Sequence, residues 1–173
     1  MVNLESTNFP KWIEENKHLL KPPVGNKQMF PTGDDFITMV VGGPNQRTDF
    51  HVDPYEEWFY QVKGNMHVKT MTPDGPKDVH IREGEMWVLP GDTPHSPQRP
   101  EPGSIGLVVE RVREEGTLEK FQWYCENCNA LVHEVELQVR DIVADLPPVF
   151  EAFYTSEEGR TCPKCGGLHP GKG

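Results

Sequence analysis

The sequence predicts a mainly β protein, a sandwich or small barrel followed by a shorter extension stapled by metal. Three observations carry this. Between residues 34 and 113, short β-rich runs alternate with turn signals such as Lys63-Gly64-Asn65, Pro73-Asp74-Gly75 and Gly91-Asp92. The 16 glycines and 17 prolines in 173 residues suit short strands joined by tight turns better than long helices. All four cysteines fall after residue 115, in two C-x-x-C pairs.

Taken in order, Asn8 can cap a short helix through KWIEENKHLL, which must stop at Lys21-Pro22-Pro23. KPPVGN reads as a loop. DDFITMVVGG (34–43) reads as a buried strand ended by two glycines, and EWFYQVKGN, MHVKTM, DVHI, EMWVLP and IGLVVER follow as strands. Past Arg113, EEGTLEK is charged and turn-like, and FQWYCENCNALVHEVEL supplies one cysteine knuckle and a strand. Ile142, Val143, Leu146, Val149, Phe150 and Phe153 are spaced as on a helix that Pro147-Pro148 must split or bend. TCPKCGGLHPGKG supplies the second knuckle. The expected organisation is a β-domain over 1–115 and an extension over 116–173.

The formal net charge of −10 argues against nucleic acid or an anionic membrane as the main partner. No apolar run approaches the roughly 18 residues of a membrane span. The N-terminus MVNLESTNFPKWIEEN lacks a basic start and an apolar core, so a cytoplasmic location is expected. In that compartment Cys125, Cys128, Cys162 and Cys165 suit a closed metal knuckle better than disulfides. The 33 residues between Cys128 and Cys162 leave room for a strand and a helix.

His51, Glu57 and His95 are the candidates for a two-histidine, one-carboxylate set, which leaves positions open on Fe(II) for substrate and oxygen. His51 precedes a strand, Glu57 opens it, and His95 follows another, so paired strands can bring the three together. His18, His67, His80 and His169 read as exposed turn residues, and His133 as a strand residue beside a knuckle.

The spacing H-x5-E-x6-G from His51 to Gly64 and G-x5-P-x4-H from Gly84 to His95 resembles the two cupin motifs, which implies a jelly-roll barrel. Two departures stand out: Asp53 replaces a second histidine, and Asp92 stands where a glycine is expected. The strings KPPVGN, VVGGPNQRTDFH, EEWFYQVKGN, LPGDTPHSPQRP, VVER, WYCENC and TCPKC resemble the 3-hydroxyanthranilate 3,4-dioxygenases, in their bacterial and fungal form with a C-terminal four-cysteine site.

That resemblance implies catalytic Fe(II) on His51, Glu57 and His95, and an extradiol-type opening of 3-hydroxyanthranilate by O2 to 2-amino-3-carboxymuconate semialdehyde, the precursor of quinolinate. It gives Arg47 and Arg99 the substrate carboxylate and Glu110 the substrate's polar groups near iron. It implies a structural, rubredoxin-like iron or zinc on the four cysteines, and a homodimer. Asp49 and Asp53 stay open between orienting His51 and facing solvent. Asn26 belongs to a loop over the site, and Phe59 and Trp87 are either pocket walls or core. A non-catalytic cupin binder and a metal-dependent isomerase are the competing readings. Two pocket arginines beside an open metal set argue against both.

Overall fold

The computed structural model describes residues 5–21, 25–31, 35–140 and 142–172, apart from the side chains of residues 142 and 143. Pro22 to Val24 and Asp34 lie outside the described residues. Asn8 accepts a bond from Lys11 N at 3.0 Å and caps α1 (Phe9–Asn16), which passes into a 3₁₀ turn at Lys17–Leu19.

Eleven strands follow among the described residues: β1 (Asn26–Gln28), β2 (Phe36–Gly42), β3 (Phe50–Val52), β4 (Glu57–Lys63), β5 (Met66–Thr72), β6 (Gly75–Ile81), β7 (Met86–Leu89), β8 (His95–Gln98), β9 (Ile105–Arg111), β10 (Glu119–Tyr124) and β11 (Leu131–Leu137). They form two antiparallel sheets, ordered β1-β2-β9-β4-β7 and β11-β10-β3-β8-β5-β6. The chain nests its partners: β5 with β6, β4 with β7, β3 with β8 and β2 with β9, alternating between sheets. A hairpin ribbon wrapped into two facing sheets gives this order, so the barrel is a jelly roll.

The period of two along β4 decides what faces inward. Glu57, Phe59 and Gln61 are buried while Trp58 is exposed. Phe59, Met66, Val68, Ile81, Leu89 and Val108 form the barrel's apolar core, and Trp87 packs against it, its ring 6.0 Å from Phe59.

Three strands were not anticipated. β1 occupies the end of the stretch read as a loop. β3 is three residues long, and β8 is polar and contains Pro97, so neither carries an apolar pattern. The charged stretch EEGTLEK runs into β10, which pairs with β3 on one side and β11 on the other. The extension therefore adds two strands to a barrel sheet.

Of the split or bend expected at Pro147-Pro148, the split is not found: α2 (Ile142–Thr155) runs through both prolines as one helix. Each proline removes one N–H from the helical ladder. Packing compensates, because Leu146, Phe150 and Phe153 seat on Phe121 and Trp123 of β10, with Phe153 stacked 4.3 Å from Trp123. Burying each such side chain contributes about 1.5–3 kcal/mol. α3 (Glu157–Arg160) leads to the second knuckle. Beyond it the chain turns back onto the barrel, where Thr48 Oγ1 donates to the Gly171 carbonyl. No helix among the described residues is long and apolar enough to cross a membrane.

Candidate active site

Three strands from both sheets carry the predicted metal ligands. His51 on β3 stands directly opposite His95 on β8, their rings 5.3 Å apart, and Glu57 opens β4 in the facing sheet. His95 Nδ1 lies 3.0 Å from the Thr93 carbonyl, which fixes that nitrogen as a donor and turns Nε2 inward to within 2.9 Å of Glu57 Oε2. Burial opposes both charges, yet each group overrides it for the other. The pKa of His95 lies above, and that of Glu57 below, its ordinary value. A proton thus joins two atoms that are both competent metal ligands.

The glycine missing from the second motif is accounted for by the backbone. Asp92 has φ 57°, in the left-handed region that aspartate tolerates better than most side chains, and its N–H donates to the Asp53 carbonyl at 2.7 Å. The turn that delivers His95 is kept with a different residue.

His51 departs from the simplest picture. Its Nε2 lies 2.6 Å from Glu119 Oε2, and burial, reinforced by His95, lowers its pKa. His51, Asp53 and Glu119 form a second group whose donor atoms lie within 4.8 Å of one another. Arg113 already occupies the carboxylates of that group, with Nη2 3.0 Å from Asp53 Oδ2 and Nε 3.0 Å from Glu119 Oε1. A dication beside that guanidinium would be repelled, whereas Glu57 makes no ion pair with an arginine among the described residues. The donor chemistry therefore favours a cation on Glu57 and His95, with His51 joining in exchange for Glu119.

His51, Glu57 and Glu119 open onto a cavity of about 160 Å³, lined also by Asn26, Arg47, Arg99, Glu110 and Arg113 and by the apolar Met39, Val41, Phe59 and Val108, while His95 reaches it through Glu57. This is below the roughly 300–1,000 Å³ of pockets for drug-sized molecules and suits a single-ring ligand. Phe121, Val139 and Leu146 of the extension close one side.

The two arginines differ in their surroundings. Arg47 is held by Asp49, to which both Nε and Nη2 donate, and its backbone is gripped by the Gln98 amide. Arg99 is 2% exposed, donates from Nη1 to Gln61 Oε1 at 2.6 Å, and makes no ion pair among the described residues. Burial lowers its pKa to about 10 against the pull of Glu57.

Glu110 lies directly across from Glu57 in the β4–β9 register. Burial, then Glu57, pushes its carboxyl up to about 7, while Arg113 opposes from 2.5 Å. The guanidinium that holds Glu110 is thus Arg113, which with Glu119 was missed from sequence. Glu119 carried a signal: it alternates with Phe121 and Trp123, both inward-facing. Arg113 follows a strand end and carried none.

The open question over Asp49 and Asp53 resolves to burial, at 1% and 6% exposure, where they hold Arg47 and Arg113 rather than His51. Phe59 lines the cavity and Trp87 stands behind it. Among the histidines read as turn residues, His67 and His80 instead face each other across β5 and β6, their rings 5.7 Å apart. His169 is buried and accepts the Gly171 N–H, because the returning tail covers it. His133 packs its ring on Trp123 and Phe153.

The four cysteines converge on one point. Cys125 and Cys165 Sγ are 3.5 Å apart, and Cys128 and Cys162 Sγ are 3.6 Å apart. These are too long for disulfides and close to the roughly 3.8 Å edge of a tetrahedron with metal–sulfur bonds of about 2.3 Å. The knuckles repeat each other: Asn129 N donates to Cys125 O and Gly166 N to Cys162 O, with φ 57° and 71°. The backbone N–H of Cys165 leads in lowering the Cys162 thiol to about 6. The protein thus has a histidine–carboxylate cluster and a four-cysteine cluster, both able to hold metal ions.

A model of the 3-hydroxyanthranilic acid dioxygenase family matches residues 1–154. The chain is 56% identical over 172 residues to a 3-hydroxyanthranilate 3,4-dioxygenase of Shewanella woodyi, covering 99% of this chain and 90% of that one. It is 55% identical over 172 residues to one of Ruegeria pomeroyi, covering 99% and 95%. A solved cupin-2 domain-containing protein from Shewanella frigidimarina aligns with 58% of this chain and 92% of its own, at 15% identity and TM-score 0.48.

Proposed function

The chain belongs to the 3-hydroxyanthranilic acid dioxygenase family, and from that membership we propose that it opens the ring of 3-hydroxyanthranilate with O2 at a non-haem Fe(II) held by His51, Glu57 and His95. The observation that carries this reading is Arg99, a buried cation without an anionic partner among the described residues, lining the same cavity as Glu57. An unpaired buried charge is costly, and a ligand carboxylate relieves it.

An Fe(II) held by His51, Glu57 and His95 would supply a path for electrons from the ring to oxygen, whose four-electron reduction the substrate alone covers. The chain's own residues do the rest. Arg99 and Arg47 seat the carboxylate and so set which ring edge meets the metal ligands. Glu110, poised near 7, accepts a proton from the substrate's hydroxyl or amino group and is kept in line by Arg113. Met39, Val41, Phe59 and Val108 hold the ring and exclude water. The product by this reading is 2-amino-3-carboxymuconate semialdehyde.

The four-cysteine cluster holds a structural iron or zinc, since a site closed by four thiolates has no position for substrate. Four cysteines that form no disulfide suit a reducing cytoplasm. We place the homodimer contact on the outer face of β4, β7 and β9. Trp58 lies opposite Val88 and Val109 there, and Met86 is 62% exposed.

The test is to load anaerobic protein with Fe(II), add 3-hydroxyanthranilate and admit air. One O2 consumed per ring is expected. Survival of the substrate while iron is bound at His51, Glu57 and His95 overturns the reading.

A further inference from the structure

Arg99 and Arg47 line one cavity, yet their partners differ in charge. Asp49 balances the charge of Arg47, whereas the partner of Arg99 is the neutral amide of Gln61. Gln61 is fully buried. Its Nε2 donates to the Lys63 carbonyl at 2.9 Å, so Oε1 is the atom that faces Arg99. The reverse orientation would set donor against donor. Gly106 completes the seat: a Cβ there would come within 2.5 Å of the Arg99 guanidinium nitrogens. The guanidinium is fixed by an acceptor and a flat backbone, neither of which neutralises it.

We propose that Gln61 is a positioning residue that makes the pocket selective for acids over the corresponding neutral rings. It holds Arg99 by a hydrogen bond while leaving the cation's charge to the ligand carboxylate. This rests on the reading that a substrate carboxylate meets Arg99. A glutamate at 61 would occupy nearly the same volume but pair with Arg99 internally, and an incoming carboxylate would then compete with a buried ion pair. Gln61 does not line the cavity, so it acts through Arg99 alone.

The test is equilibrium binding by calorimetry to anaerobic, Fe(II)-loaded protein. It compares 3-hydroxyanthranilate with 2-aminophenol, which keeps the hydroxyl and amino groups and lacks the carboxylate. Gln61→Glu is expected to raise Kd for the acid by about 10- to 100-fold, the range of a lost charged hydrogen bond, while 2-aminophenol stays within about twofold. Gln61→Met keeps the charge and removes the acceptor, and a smaller loss of about 3- to 10-fold, again for the acid alone, is expected. Wild-type affinity for the acid in both variants, or equal weakening of both ligands, overturns the proposal. If Gln61→Glu does not fold, Gln61→Met decides by the same criterion. If the wild-type protein itself shows no preference for the acid, the carboxylate role of Arg99 fails and the assignment to Gln61 with it. A preference that is undiminished in both variants overturns only the part given to Gln61.

Discussion

The two donor clusters are built in opposite ways. Each cysteine knuckle is local: a few residues, one left-handed position and two backbone bonds place both sulfurs, and the same device is used twice. The histidine–carboxylate cluster has no local unit. It takes His51, Glu57 and His95 from three strands of two sheets, and the charges of Arg47, Arg99, Glu110, Arg113 and Glu119 line the cavity beside it. In the first each pair of sulfurs is placed by its own turn, whereas the second exists only once the jelly roll is complete. One is suited to stability and the other to chemistry.

The sharpest way to break this contrast is to remove a ligand from each. Glu57→Gln or His95→Ala should lower kcat/KM by at least about a hundredfold, the scale of lost transition-state electrostatics, and cost one bound metal, in protein that still folds. Oxygen uptake and metal analysis on the same sample check it. Cys125→Ser with Cys162→Ser should do the reverse, costing at least about 4 kcal/mol of stability, as metal loss does, yet leaving turnover in the folded fraction. Loss of chemistry in folded, catalytic-iron-loaded protein would erase the distinction.

Within the open site, Arg99→Met should raise KM by about 10- to 100-fold and Arg47→Met by less, since Asp49 already balances Arg47. Steady-state kinetics with 3-hydroxyanthranilate would rank them. Glu110 gives the contrast a pH dependence. Its folded pKa of about 7 lies above the ordinary 4.5, so its contribution is present below pH 4.5 and is lost as pH rises through 7. Relative to Glu110→Gln, the wild-type protein should lose up to about 3 kcal/mol over that window. Urea denaturation at several pH values would show parallel curves if Glu110 does not titrate there.

The same contrast governs what the sequence disclosed. Cys125, Cys128, Cys162 and Cys165 announce themselves by spacing because their geometry is local. The strands β4, β5, β7 and β9 show apolar or alternating patterns because their neighbours are core. β3 and β8 do not, being short or polar, and the candidate ligands they carry were read from motif spacing instead. Arg113 and Glu119 looked like surface charges, because the groups that bury and neutralise them arrive from distant strands. Asp92 looked like a lapse in the motif, since a backbone angle leaves no trace in composition. The prolines of α2 looked like a break, because the packing of Phe150 and Phe153 on β10 was not visible from the helix alone.

The returning tail links the two regions. Gly171 lies just past the second knuckle and receives the hydroxyl of Thr48, the residue between Arg47 and Asp49. The segment that carries Arg47 and the tail that carries the second knuckle are thus joined by one bond from a side chain to a backbone carbonyl, so barrel and extension meet at the chain's far end as well as along β10.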